Sequence, residues 1–262
     1  MSPRPLRTDV IAVAALLTMA FLAVSADRLA AAWAEARTAK AFQEGMETPL
    51  PPEVHVRGFP ALTQLADGTL SHVDITAHDI PARGTERPLP VTELTLRLDD
   101  LRKSGDESEA HAGAAEALAH LSYTDVSNAL GLEISQGARP GQVSAAVLLP
   151  PGNEVTVTTS VSAASGNRIA FTDFHVTGGR LPTAGEELLN KAFAEPIQLR
   201  NIPAGLHLRT ITSTATGLRA RFSGRSVTFR PDGAGEAEPD RASAGGCAPT
   251  VVDGAGKAVP VG

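Results

Sequence analysis

The residues best suited to chemistry are His72-Val-Asp74-Ile-Thr76-Ala-His78. On an extended strand His72, Asp74, Thr76 and His78 share one face, each about 6.6 Å from the next. Imidazoles beside a carboxylate can hold a metal or move protons. His72 and His78, however, stand about 20 Å apart along one strand, so no single ion joins them. The pattern reads as a solvent-facing polar stripe opposite Val73, Ile75 and Ala77. His55, His111, His120, His175 and His207 are scattered without ligand spacing. The adjacent acids Asp99-Asp100 and Glu186-Glu187 read as water-facing pairs. No nucleophile elbow, S-x-x-K, H-E-x-x-H or phosphate-cradling glycine loop occurs. The chain is expected to work without a catalytic residue, a metal or a cofactor.

Composition narrows the partners. The 262 residues can bury a substantial core. Aromatics are 4% of the chain and the formal net charge is −6, which argues against stacking platforms and phosphate binding, hence against nucleic acid. One cysteine, Cys247, excludes an internal disulfide framework and any multi-cysteine metal site.

The strongest local signal is N-terminal. Arg4 and Arg7 precede an uncharged run, Val10 to Ala26, closed by Asp27 and Arg28. Seventeen helical residues reach roughly 26 Å, the lower edge of a bilayer span. Val24 and Ala26 suit signal cleavage after Ala26. Helical spacing nevertheless continues through Leu29, Trp33 and Ala36, as it would behind a retained anchor. Either way the rest of the chain is expected outside the cytoplasm, membrane-bound or secreted. Residues 1–26 are thus a signal or anchor, 27–48 a helical stalk or first helix, and 49–230 the folded domain. Residues 231–262, dominated by Gly, Ala and Pro, are expected to be a disordered tail.

Within 49–230 the dominant period is two. Val54–Arg57, Thr69–Ile80, Leu94–Leu98, Glu116–Ser122, Val143–Leu149, Val155–Val161, Ile169–Thr177, Leu206–Ser213, Leu218–Phe222 and Val227–Arg230 read as about ten short, mostly antiparallel strands. Turn residues such as Pro150–Gly152, Gly178-Gly179 and Gly224 separate them. Parity slips between Val91 and Leu94, and between Phe171 and Phe174; such slips require bulges, and bulges curve a sheet. Capping-box spacing at Ser122–Asp125 and Thr183–Glu186 predicts two helices, the first closed by Gly131 and the second stopped by Pro196. Leu189 and Phe193, four apart, must lie on something apolar. Asp99 to Glu109, rich in charge of both signs, reads as a solvated loop.

Val54-His-Val-Arg-Gly58-Phe59-Pro60, continued by Leu62-Thr63-Gln64-Leu65 and Gly68, carries a resemblance. It is similar to the opening of an exported actinobacterial family, once a domain of unknown function, that contains the phospholipid-binding envelope protein LmeA. Ser122–Asp125, Ile202–Leu206 and Thr216–Leu218 resemble the same family, and the likeness spans about Val54 to Phe229. The tail and the acidic stretch at Asp106–Glu109 depart from it. The resemblance implies a mostly β, α+β fold: an elongated, strongly curved antiparallel sheet or incomplete barrel wrapped on amphipathic helices, as in tubular lipid-binding (TULIP-like) domains. It implies a phospholipid or related acyl-chain ligand, a membrane association and a role in envelope lipid or lipoglycan metabolism, and it assigns no catalytic residue.

Physics supplies a reason, since an apolar groove left by incomplete closure binds acyl chains at about 0.8 kcal/mol per buried CH2. Phe59, Leu62, Leu65, Leu189 and Phe193 are the candidate lining residues, plain core being their alternative role. Gly58 and Pro60 are expected to set the turn that aims Phe59. A competing reading is a non-catalytic scaffold or interaction protein for envelope enzymes, with a packed interior and an exposed apolar patch.

Overall fold

The computed structural model of the chain describes residues 6–82, 88–103, 109–149, 153–180 and 182–230. The tail 231–262, Cys247, the turn 150–152 and residues 104–108 of the acidic stretch lie outside them.

One 41-residue helix, α1 (Leu6–Met46), runs through the apolar segment without a break. From Ala14 to Val24 it is bare: Leu16, Leu17, Met19, Phe21 and Leu22 are all exposed. Its second half packs on the domain through buried Asp27 and Ala34 and half-buried Phe42. The strand β1 (Glu53–Arg57) follows, then a short helix α2 (Ala61–Ala66) at a place where the sequence reading has only a turn. Next come β2 (Thr69–Ile80), β3 (Val91–Lys103), β4 (Ala110–Ser122), α3 (Tyr123–Leu130), β5 (Glu133–Gln136) and β6 (Gln142–Leu149). The chain continues through β7 (Asn153–Ala164), β8 (Arg168–Gly178), α4 (Thr183–Ala194), β9 (Ile197–Gln198), β10 (Ala204–Ser213) and β11 (Gly217–Phe229).

All pairings are antiparallel. A six-stranded sheet runs β1-β2-β3-β4-β11-β10, and a five-stranded sheet runs β5-β6-β7-β8-β9. The larger sheet curls into a half-barrel. Its curl has a visible cause. The registers align Ser71, Asp100, Gly113 and Ser226 in one row across β2, β3, β4 and β11. Asp100 and Ser226 there adopt positive φ, 52° and 51°. The inward face shifts by one residue at that row in every strand: Leu70, Leu101, Ala112 and Val227 on one side, Val73, Leu98, Ala115 and Phe222 on the other. A crease of bulge-like residues thus crosses the sheet and bends it. Asp173, at φ 54°, marks the slip between Phe171 and Phe174, with a register shift against β7. At the Val91–Leu94 slip the strands keep register, and Asp79, at φ 52°, turns the face over instead.

Three expectations are corrected. Asp99–Lys103 is strand rather than loop, held in β3 by pairing with both β2 and β4. Residues 218–230 do not form two strands about a turn at Gly224. They are a single β11, in which a Cβ on Gly224 would collide with the Gly205 backbone, so glycine serves a close strand approach. The residue capping α4 is Pro182, whose carbonyl accepts from Gly185 and Glu186; no side chain caps that helix.

The first capping site behaves as its spacing predicts. Ser122 Oγ accepts from the Asp125 amide at 3.1 Å, and Gly131 closes α3 in the left-handed region. At the start of α3 the Tyr123 hydroxyl donates to the Thr214 carbonyl at 2.7 Å, and burial pushes the phenol's pKa above its ordinary value. The sheets are stitched at β10. Asn167 accepts from the Leu208 amide at 2.7 Å and donates to the Leu206 carbonyl at 3.1 Å, which satisfies edge groups that a further strand would otherwise pair.

Candidate functional site

The concave side of the curled sheet is not filled. Its strands present Leu94, Leu96 and Leu98 from β3 directly opposite Ala119, Ala117 and Ala115 of β4, and Ala220 of β11 lies against Ala119. Each alanine sits where a branched residue would ordinarily complete a strand interior. The sheet's curvature therefore encloses space instead of side chains.

The resulting cavity holds about 860 Å³, within the range of small-molecule sites. The sheet forms one side of it. The open seam between the edge strands is covered by α1, through Ala34, Ala41 and Phe42, and by the segment Gln198–Pro203 that precedes β10. Glu35 of α1 accepts the Val56 amide of edge strand β1 at 2.9 Å, tying the helix to the sheet margin. Asp27 accepts the Leu62 amide in the first turn of α2 at 2.9 Å, the part a capping side chain plays.

The motif from Gly58 to Gly68 builds one end of the cavity. Gly58, at φ 107°, approaches Gln64 so closely that a Cβ would overlap its side-chain amide. Gln64 Oε1 in turn accepts from the Ser71 amide at 2.8 Å, at the crease of β2. Gln64, Leu65 and Gly68 line the cavity.

Charge is confined to the margin. Exposed Arg37, Lys103, Arg200 and Arg230 and half-buried Glu109 belong to the lining. Arg230 Nε donates to Glu109 Oε1 at 2.7 Å, and the Arg37 guanidinium lies 5.5 Å from the Trp33 ring centroid. Inside the margin the lining is mostly apolar, with Thr38, Gln64, Thr69, Gln198, Asn201 and Thr228 as its polar members. It offers burial for a hydrocarbon chain and cationic groups at its margin for an anionic head.

Of the five residues expected to line a groove, Leu65 alone does so. Phe59 and Leu62 are exposed, at 68% and 47%. Leu189 and Phe193 are buried elsewhere, on β8, where Phe193 lies 5.6 Å from Phe171 and 6.3 Å from Phe174 between ring centroids. The rest of the lining is drawn mainly from the second half of α1, from β2, β3, β4 and β11, and from the segment Gln198–Pro203. The alternation of leucine and alanine across β3 and β4 is the sequence signal for it. It goes unread because Leu94–Leu98 and Glu116–Ser122 read as separate strands, and only their pairing register sets the leucines opposite the alanines.

The polar stripe of β2 lies on the convex face. His72 and His78 are exposed, and His72 Nδ1 meets Asp99 Oδ1 at 2.6 Å. Asp74 is paired with Arg57 at 2.5 Å and Arg97 at 3.7 Å. Among the described residues no group of three potential metal ligands converges.

A family model described as LmeA-like phospholipid-binding matches residues 25–223, from the last turn of the bare part of α1 into β11. No curated protein and no solved structure matches the chain.

Proposed function

The chain belongs to the LmeA-like phospholipid-binding family, and from that premise we propose that the half-barrel cavity takes up the acyl chains of a phospholipid. The protein is a membrane-associated, extracytoplasmic lipid-binding protein serving envelope lipid or lipoglycan metabolism, and it acts by non-covalent binding without catalysis. The observation that carries this reading is an apolar cavity of about 860 Å³ bordered by cationic side chains. A chain of roughly 16 carbons buried there contributes on the order of 10 kcal/mol before ordering costs. The apolar first half of α1 supports an anchor or a signal segment. A scaffold for envelope enzymes would have a filled interior, so the cavity favours the lipid.

Because α1 forms one wall, the test uses the full chain. Native mass spectrometry of the protein released from detergent micelles is expected to retain a mass matching a phospholipid, lost on organic extraction. A chain that stays ligand-free after incubation with phospholipid overturns the proposal.

A further inference from the structure

The helix that carries the bare apolar segment is the same rod that walls the cavity, and it fixes where a bilayer would end. Uncharged, exposed α1 surface carries Leu16, Leu17, Met19, Phe21, Leu22 and Val24 before the first charge after them, Asp27. Asp27 is then 4% exposed because α2 sits on it, its carboxylate bonded to the Leu62 amide. The domain therefore begins within one turn of the end of the apolar run, with no linker to let it swing away.

At that level the domain presents large apolar side chains to the outside. Phe59 and Leu62 flank the Asp27 contact and are 68% and 47% exposed. Leu29 and Trp33 are exposed on α1 at 72% and 60%, with Trp33 about 9 Å beyond Asp27 along the axis. Phenylalanine, leucine and tryptophan at this height match the belt that proteins place at the membrane–water boundary. The same short helix faces the cavity with Gln64 and Leu65.

We propose that Phe59 and Leu62, together with Leu29 and Trp33 on the adjoining turns of α1, form a rim that dips into the lipid surface and sets the α2 end of the cavity against it. The occupant of the patch is the bilayer in which the first half of α1 is embedded; the inference rests on reading that segment as a retained anchor. An acyl chain entering by this end passes from leaflet to cavity without crossing bulk water.

Single-tryptophan chains test this, since Trp33 is the chain's sole tryptophan. W33F/F59W and W33F/L62W, with W33F/F21W as the anchor control, are reconstituted as full chains into phosphatidylcholine vesicles. A matching set carries bromine on the upper acyl chain. Positions 59 and 62 are exposed, so neither substitution disturbs the core, and either variant alone decides the outcome. The proposal expects blue-shifted emission and about a twofold loss in brominated vesicles at 59 or 62. Quenching at 21 alone overturns the rim and leaves the anchor standing. Quenching at none of the three overturns anchor and rim together. Quenching at 59 or 62 without 21 also overturns the proposal, because the rim is then not held at the surface by an embedded α1. Because the vesicles hold no other protein, a rim made for a protein partner reads as unquenched and overturns the proposal.

Discussion

The carboxylate of Asp27 accepts the backbone amide of Leu62 at 2.9 Å, joining α1 to α2 across 35 residues of sequence. The bond makes a residue next to an apolar helical run part of the domain's own packing. It also gives α2, whose N-cap position is Pro60 with no capping side chain, the acceptor it lacks. Asp27→Ala is expected to cost about 1 kcal/mol and to speed hydrogen exchange at the Leu62 amide. Unchanged protection there would show that the contact does not hold α2.

Ala119 faces the cavity between Leu94 and Ala220. Ala119→Trp is expected to weaken phospholipid retention about tenfold or more, or ~1.4 kcal/mol. The free space accepts the ring, so stability should change by less than the ~1–3 kcal/mol typical of overpacking. Leu118→Trp, one residue away on the opposite face and 37% exposed, should leave retention as it was. Lipid titration of both variants checks the pair.

Phe193 packs on Phe171 and Phe174, remote from the cavity lining. Phe193→Ala is expected to cost about 3–5 kcal/mol in chemical denaturation. The fraction that remains folded should still carry lipid at the wild-type ratio. A selective loss of lipid would place this cluster in the binding site after all.

Tyr123 donates to the Thr214 carbonyl, and burial raises its pKa above the ordinary 10.0. The neutral phenol is the form the fold prefers. Its contribution is therefore complete below the unfolded-state pKa and is lost as pH rises through the folded one. Tyr123→Phe should lower stability at neutral pH by about 1 kcal/mol and flatten the decline above pH ~10. Urea midpoints across the alkaline range decide this; a decline equally steep in both chains would assign it to other groups.

Much of the architecture is legible in local pattern. Thr69–Ile80 reads as a strand with its bounds intact, because period-two burial of Val73, Ile75 and Ala77 is a property of the strand itself. Ser122 and Gly131 likewise announce both ends of α3, since a cap acts within one turn. The slip at Phe171–Phe174 marks a true register shift in the smaller sheet, but the crease that curls the larger sheet falls at Asp100 and Ser226, where the pattern reads as loop and turn. The site is less legible. Leu189 and Phe193 have the periodicity of a residue pair seeking an apolar surface, but periodicity does not say which of two sheets supplies it. Phe59 and Leu62 look like lining residues because they are large and apolar, and the fold turns them outward.

The sequence by itself determined most of the strands, both ends of α3, the apolar leading helix and the absence of a recognisable catalytic motif, because each is written in neighbouring residues or in composition. Only the tertiary structure decided where the cavity lies. It depends on register: Ala117 and Ala119 leave a void because they fall opposite Leu96 and Leu94 on a sheet creased at Asp100 and Ser226. It depends equally on α1 closing the seam through Glu35 and Val56. A void is a relation among side chains distant in the chain, and no local stretch encodes the space that its partners fail to fill.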